Sequence, residues 1–227
     1  GTEAWLNLQD QLVAAGCELI PIAGNHDAKA FDRRDLFLEE GLVWVTHGDV
    51  LDERIAPWSL SAKRMAMAWE KAASQMPIHQ RVSREGQLEI ARLAGFAEWD
   101  LGPKDRVPPA GGTSLRKAMR DPGRLISVLR YWKECPDRAL RFAHTTGVKA
   151  PIVVLGHSHN AGRWRRENRT ILNTGAFGFP GRPYAVVLDD QGVALRAVEL
   201  SEQGYQLADK PYWADSWDVI RAQASLD

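Results

Sequence analysis

An α/β fold carrying a helical insertion is predicted from three observations. Short apolar runs recur near both ends of the chain, and several stop abruptly in a polar loop bearing His, Asp or Asn. The central third instead places its Met, Trp and Leu residues at helical spacing. Hydrophobic residues make up 44% of the 227, enough for one domain with a real core, here residues 1–227.

Trp5, Leu8, Leu12 and Val13 predict a first helix, with Gly16 placed to stop it. Cys17 to Ala23 reads as a strand ending in Gly24-Asn25-His26-Asp27. Leu42 to Val45 reads as a second strand, followed by Thr46-His47-Gly48-Asp49. Residues 55–148 form the predicted insertion. Met65, Ala68, Trp69, Ala72 and Met76 make one helical stripe, and Leu125, Val128, Leu129 and Trp132 another. Between them lies a Pro- and Gly-rich loop, from Gly102 to Gly112. Asp137, after Pro136, is placed to cap a third helix ending near Gly147. The bland role of the Met and Trp residues here is core packing.

The sheet then resumes. Pro151 to Leu155 leads into Gly156-His157-Ser158-His159, and Thr170 to Leu172 into Asn173-Thr174-Gly175. Tyr184 to Leu188 and Val193 to Leu200 flank Asp189-Asp190-Gln191-Gly192, a hairpin signal. Trp213 and Trp217 suggest a short helix in the tail from Asp209.

The formal net charge is zero and the pI about 7.2, so nothing in the balance points to nucleic acid or a membrane surface. No apolar run is long enough to cross a bilayer. Cys17 and Cys135 have no CxxC partner, so a disulfide framework is not expected and a reducing, cytoplasmic setting is. Gly1-Thr2-Glu3 has neither an initiator Met nor a signal pattern.

Four of the six histidines, His26, His47, His157 and His159, fall in three strand-end loops, where open α/β sheets place ligands. Imidazole suits Zn, Mn or Fe, and an amide oxygen such as that of Asn25 can join it. Each element alone is weak; a lone strand-end His is more often structural. The ordered set GNHD, HGD, GHxH is far more specific.

That set resembles the calcineurin-like metallophosphoesterase family, whose pattern runs D-x-H, G-D-x-x-D, G-N-H-[DE], a later His often within H-G, then G-H-x-H. The Asn173-Thr174-Gly175 segment also looks like the family's N-x-G. The resemblance implies a layered β-sandwich flanked by helices. It implies that Asn25, His47 and His157 ligate one metal and His159 a second, with two divalent transition ions (Mn, Fe, Zn or Ni) in an intact member. His26 would act on the phosphate and protonate the leaving oxygen, with Asp27 holding its ring. The implied substrate is a small phosphorylated molecule, nucleotide- or lipid-linked in one variant, because the insertion is placed like the lid of UDP-diacylglucosamine hydrolases.

The chain departs from the family in one respect. D-x-H occurs nowhere, and little chain precedes GNHD. Gly48-Asp49-Val50-Leu51-Asp52 spells G-D-x-x-D, but it follows GNHD and overlaps the HGD motif, so order favours the later reading. The expectation is an N-terminally incomplete member, lacking the family's first strands, that holds one ion or none firmly and is impaired in turnover. The alternative is a non-catalytic relative that binds metal or phosphate. A metallo-β-lactamase would need H-x-H-x-D-H, but Asn160 and Ala161 follow His159. Arg163, Arg165, Arg166 and Arg169, and separately Arg182, suit phosphate recognition or a solvated hairpin. His79 and His144 read as structural or surface residues.

Overall fold

The computed structural model describes residues 2–99, 122–178 and 181–225. It is a mixed α/β structure, with two sheets and six α-helices among those residues. The strands are β1 (Asp35–Leu38), β2 (Val43–Thr46), β3 (Ile152–Leu155), β4 (Gly162–Arg166), β5 (Arg169–Asn173), β6 (Tyr184–Asp189), β7 (Gly192–Ser201), β8 (Gly204–Leu207) and β9 (Trp213–Ser216). The helices are α1 (Thr2–Ala14), α2 (Ala62–Gln75), α3 (Ile78–Arg81), α4 (Arg84–Trp99), α5 (Pro122–Thr146) and α6 (Trp217–Ala224).

The first sheet has the order β1-β2-β3-β5-β4. Its centre, β2-β3-β5, is parallel, and the edge strands β1 and β4 are antiparallel. Side-chain alternation sorts the central strands into two cores. Trp44, Val153, Leu155 and Ile171 face a core shared with α2, α4 and α5. Val43, Ile152, Val154 and Leu172 face a second core with Val193, Leu195, Trp217 and Ile220. The second sheet, β6-β7-β8 with β9 on β7, and helix α6 supply that side. Burial on both faces is why these strands read as unbroken apolar runs.

Four sequence expectations need correction. Residues 17–23 form no strand; among the described residues no strand pairs with them, and one ladder-like bond, Ala23 N–H to the Arg33 carbonyl, is present. Helix α5 runs unbroken through Pro136, so Asp137 caps nothing and instead accepts a bond from Arg166 Nε. The prolyl ring costs one intrahelical bond, but Pro136 is buried beside Cys135, Ala139, Phe142 and Ala143, and packing there carries the helix through. The buried stripe of α5 is therefore Tyr131-Cys135-Ala139-Phe142, while Leu125 and Leu129 are exposed. In the tail, Trp213 opens β9 and only Trp217 begins a helix. The loop from Gly102 to Gly112 lies outside the described residues.

The helix over Trp5–Val13 is present as α1, with Gly16 at φ 74° just past its end. The Asp189–Gly192 hairpin closes β6 on β7. Both cysteines are free, Cys17 exposed and Cys135 buried. No helix among the described residues is long and apolar enough to cross a membrane.

Candidate functional site

Parallel pairing brings the C-terminal ends of β2, β3 and β5 to one edge. The Gly156 N–H donates to the His47 carbonyl and the Thr174 N–H to the Leu155 carbonyl, so the three following loops leave side by side. The Gly24 backbone lies against the face of the His47 ring: a Cβ on Gly24 would sit 2.6 Å from His47 Nε2. Only glycine permits that approach. The imidazoles of His47 and His157 are 4.8 Å apart, centroid to centroid. His159 feels the charges of both His47 and His26, which places all four strand-end imidazoles in one electrostatic neighbourhood.

The G-H-S-H segment is a tight turn rather than an extended H-x-H pair. His157 and His159 both have left-handed backbones, at φ 60° and 59°. Such conformations are uncommon outside glycine and cost about 1–3 kcal/mol each. Asn173 braces the turn: its Nδ2 donates to the Gly156 carbonyl at 2.7 Å and to Ser158 Oγ at 3.0 Å. Its Oδ1 accepts from the Gly175 N–H at 2.9 Å. From the insertion, Trp132 Nε1 donates to the Ser158 carbonyl at 2.7 Å.

His157 is 8% exposed and boxed by His47, Trp58 and Tyr131. Its Nε2 lies 2.8 Å from the carbonyl of Ile55, a residue itself held at φ 59°. A carbonyl only accepts, so Nε2 carries the proton and Nδ1 keeps its lone pair. Burial, then the charge of His47, push the His157 pKa down from 6.5 to about 3, against the opposing pull of Asp49 and the Ile55 bond. The folded pKa is thus the lower one, and an unfolded chain binds the proton that the fold refuses. Stability from this group is fully present above pH 6.5 and is lost as pH falls toward 3, by up to about 1.4 kcal/mol per unit. The urea midpoint of the metal-free protein should fall accordingly between about pH 7 and pH 4. His157→Gln should flatten that slope, and equal slopes in the two proteins would refute the assignment.

Asp49 is fully buried beside His47. Gly48, at φ 100°, makes the left-handed turn that brings it there. Its Oδ2 accepts from Arg34 Nη2 at 2.7 Å, and its Oδ1 lies 3.5 Å from His47 Nδ1. Burial raises the Asp49 pKa, but His47, Arg34 and His157 together outweigh it and hold the carboxyl well below its usual range. His159 is exposed at the rim; its pKa is lowered by partial desolvation, then by His47 and His26.

Asn25 is buried under α4, whose Gly95 comes close to it. His26 and Asp27 are exposed. The Asp27 peptide N–H donates to the Gly24 carbonyl, and no hydrogen bond joins its carboxylate to His26 among the described residues. The arginines after GHSH are engaged elsewhere. Arg163 lies over the Trp213 ring, Arg165 bonds Glu167 and Thr170, and buried Arg169 donates to the Val148 carbonyl. Arg182 is exposed, and His144 pairs with Glu167.

No three His, Cys, Asp or Glu side chains converge tightly enough for an ion among the described residues. What does converge is two imidazoles next in space to the Asn25 loop: His157, with Nε2 on the Ile55 carbonyl, and His47, with Nδ1 3.5 Å from Asp49 Oδ1. Among the described residues, Asn25, His47 and His157 are the donors that could hold a transition ion. The sequence reading quoted Asp49 in HGD and Trp132 in a helical stripe without giving either a role at the site, and Ile55, Trp58 and Tyr131 carry no local signal. Comparison of the chain with protein-family models, curated proteins and solved structures finds no match.

Proposed function

We propose that the chain is a calcineurin-like metallophosphoesterase domain whose described residues build one transition-metal site for phosphoester hydrolysis. The observation that carries this reading is the meeting of GNHD, HGD and GHSH at one sheet edge, with His47 and His157 in contact and His26 and His159 at the rim. The layered order of helices, sheet, sheet is compatible with the family's sandwich. Asn25, His47 and His157 would hold the ion, and His159 would face a second position. A bound transition ion supplies Lewis acidity, polarising a phosphoryl oxygen and acidifying water. The chain's own groups do the rest. His26, exposed at the rim, would as imidazolium protonate the ester oxygen as it departs. His159 would offer a further donor to phosphoryl oxygens, and Asp27 would orient His26.

The test is metal titration together with hydrolysis of bis(p-nitrophenyl) phosphate. One Mn²⁺ or Zn²⁺ per chain, and weak turnover that vanishes with chelator, is expected. Turnover indifferent to metal would sink the proposal. The sparse ligand set favours a second reading, a non-catalytic metal or phosphate binder; stoichiometric binding with no turnover on any phosphoester would select it.

A further inference from the structure

We propose that Asp49, fixed by Arg34, is a positioning residue that sets the tautomer of His47 and leaves its Nε2 lone pair for the ion; this rests on the reading of His47 as a ligand. The argument is one of donors and acceptors. His47 Nδ1 and Asp49 Oδ1 are both buried, they lie 3.5 Å apart, and neither has a hydrogen-bond partner of better geometry among the described residues. The contact is longer than a close hydrogen bond, so it serves orientation more than binding strength. An ionised carboxylate only accepts. The ring nitrogen facing it therefore carries the proton, and Nε2, over which the Gly24 backbone lies, does not. His157 shows the complementary arrangement, with Nε2 given to Ile55 and Nδ1 left over. Carboxylates commonly fix metal-binding imidazoles in this way.

Arg34 makes the device directional. Its Nη2 holds Asp49 Oδ2 at 2.7 Å and is itself only a donor. In Asp49→Asn the single remaining oxygen belongs to Arg34, so the amide NH₂ turns toward His47. A donor there demands a lone pair on Nδ1, and the proton moves to Nε2, where the ion should bind. Adding Arg34→Met releases the amide, which turns its oxygen back to His47 and restores the first tautomer.

Long-range ¹H–¹⁵N spectra of the metal-free protein at about pH 8, where imidazoles are neutral, read the tautomer directly. The peak missing in His47→Gln assigns it. The wild type should show Nδ1–H, Asp49→Asn should show Nε2–H, and the double variant should revert. Zn²⁺ affinity should fall about 10- to 100-fold in Asp49→Asn and recover in the double variant. An Nε2–H tautomer in the wild type, which needs no variant to observe, overturns the proposal. So does an unchanged tautomer in Asp49→Asn. A wild type that shows the expected tautomers but binds no Zn²⁺ would instead defeat the metal reading on which the role of Nε2 depends.

Discussion

Arg34→Met is expected to destabilise the fold by about 3–5 kcal/mol, because it strands a buried carboxylate. Arg34 is 7% exposed and Asp49 is fully buried. Their 2.7 Å contact is the one close charge-assisted bond to that carboxylate among the described residues. The wild-type carboxyl titrates below its usual range, so its contribution is present above about pH 4 and is lost as pH falls through the lower folded value. Without the guanidinium, burial pushes that pKa up instead. The deficit of the variant should therefore be largest at neutral pH and shrink in acid, as the carboxyl protonates. Urea unfolding at several pH values measures both. A loss under about 1 kcal/mol at pH 7 would mean that water reaches the pair. Arg34→Met combined with Asp49→Asn removes both charges and should recover much of the loss, which separates charge burial from simple packing.

His26→Ala is expected to cut kcat for an alkyl phosphoester by about 10²- to 10⁴-fold while leaving Zn²⁺ affinity unchanged. The ring is exposed at the rim, within electrostatic reach of His159 but outside the buried His47–His157 pair. A proton donor matters most when the departing alkoxide is strongly basic. The loss should accordingly be much smaller for a p-nitrophenyl ester, whose anion needs no proton to leave. Parallel losses in rate and metal affinity would instead reassign His26 as a ligand.

The central strands were legible because Val43–Val45, Ile152–Leu155 and Ile171–Leu172 are covered on both faces, and double burial writes itself as an apolar run. Cys17–Ala23 looks the same in sequence yet pairs with no described strand, since composition records apolarity and not the presence of a neighbour. Strand β1 was missed for a different reason: it is a four-residue edge strand that opens on Asp35 and runs into Glu39-Glu40, leaving only Leu36-Phe37-Leu38 apolar. Pro136 misled because its local cost is visible in the sequence and the packing that offsets it is not. In the site, the loops were readable from their glycines and histidines. Their supports were not. Ile55, Trp58 and Tyr131 touch His157 only through long-range folding, and the left-handed turn at His157 and His159 leaves no compositional trace.

Helix α5 leads directly into β3 and then doubles back over the turn that β3 presents. From Trp132 to Thr146 it rises roughly 21 Å at 1.5 Å per residue. From Ala150 to Leu155 an extended chain returns about 17 Å at ~3.3 Å per residue, and the Gly156–Ser158 turn follows. At that turn the Trp132 indole meets the Ser158 carbonyl. Adding or deleting one residue between Lys133 and Thr146 would swing the indole by about 100° around the rod and break the meeting. The spacing between this tryptophan and the Gly156–His159 turn is thus a ruler: side chains along it can drift within packing limits, while its length cannot.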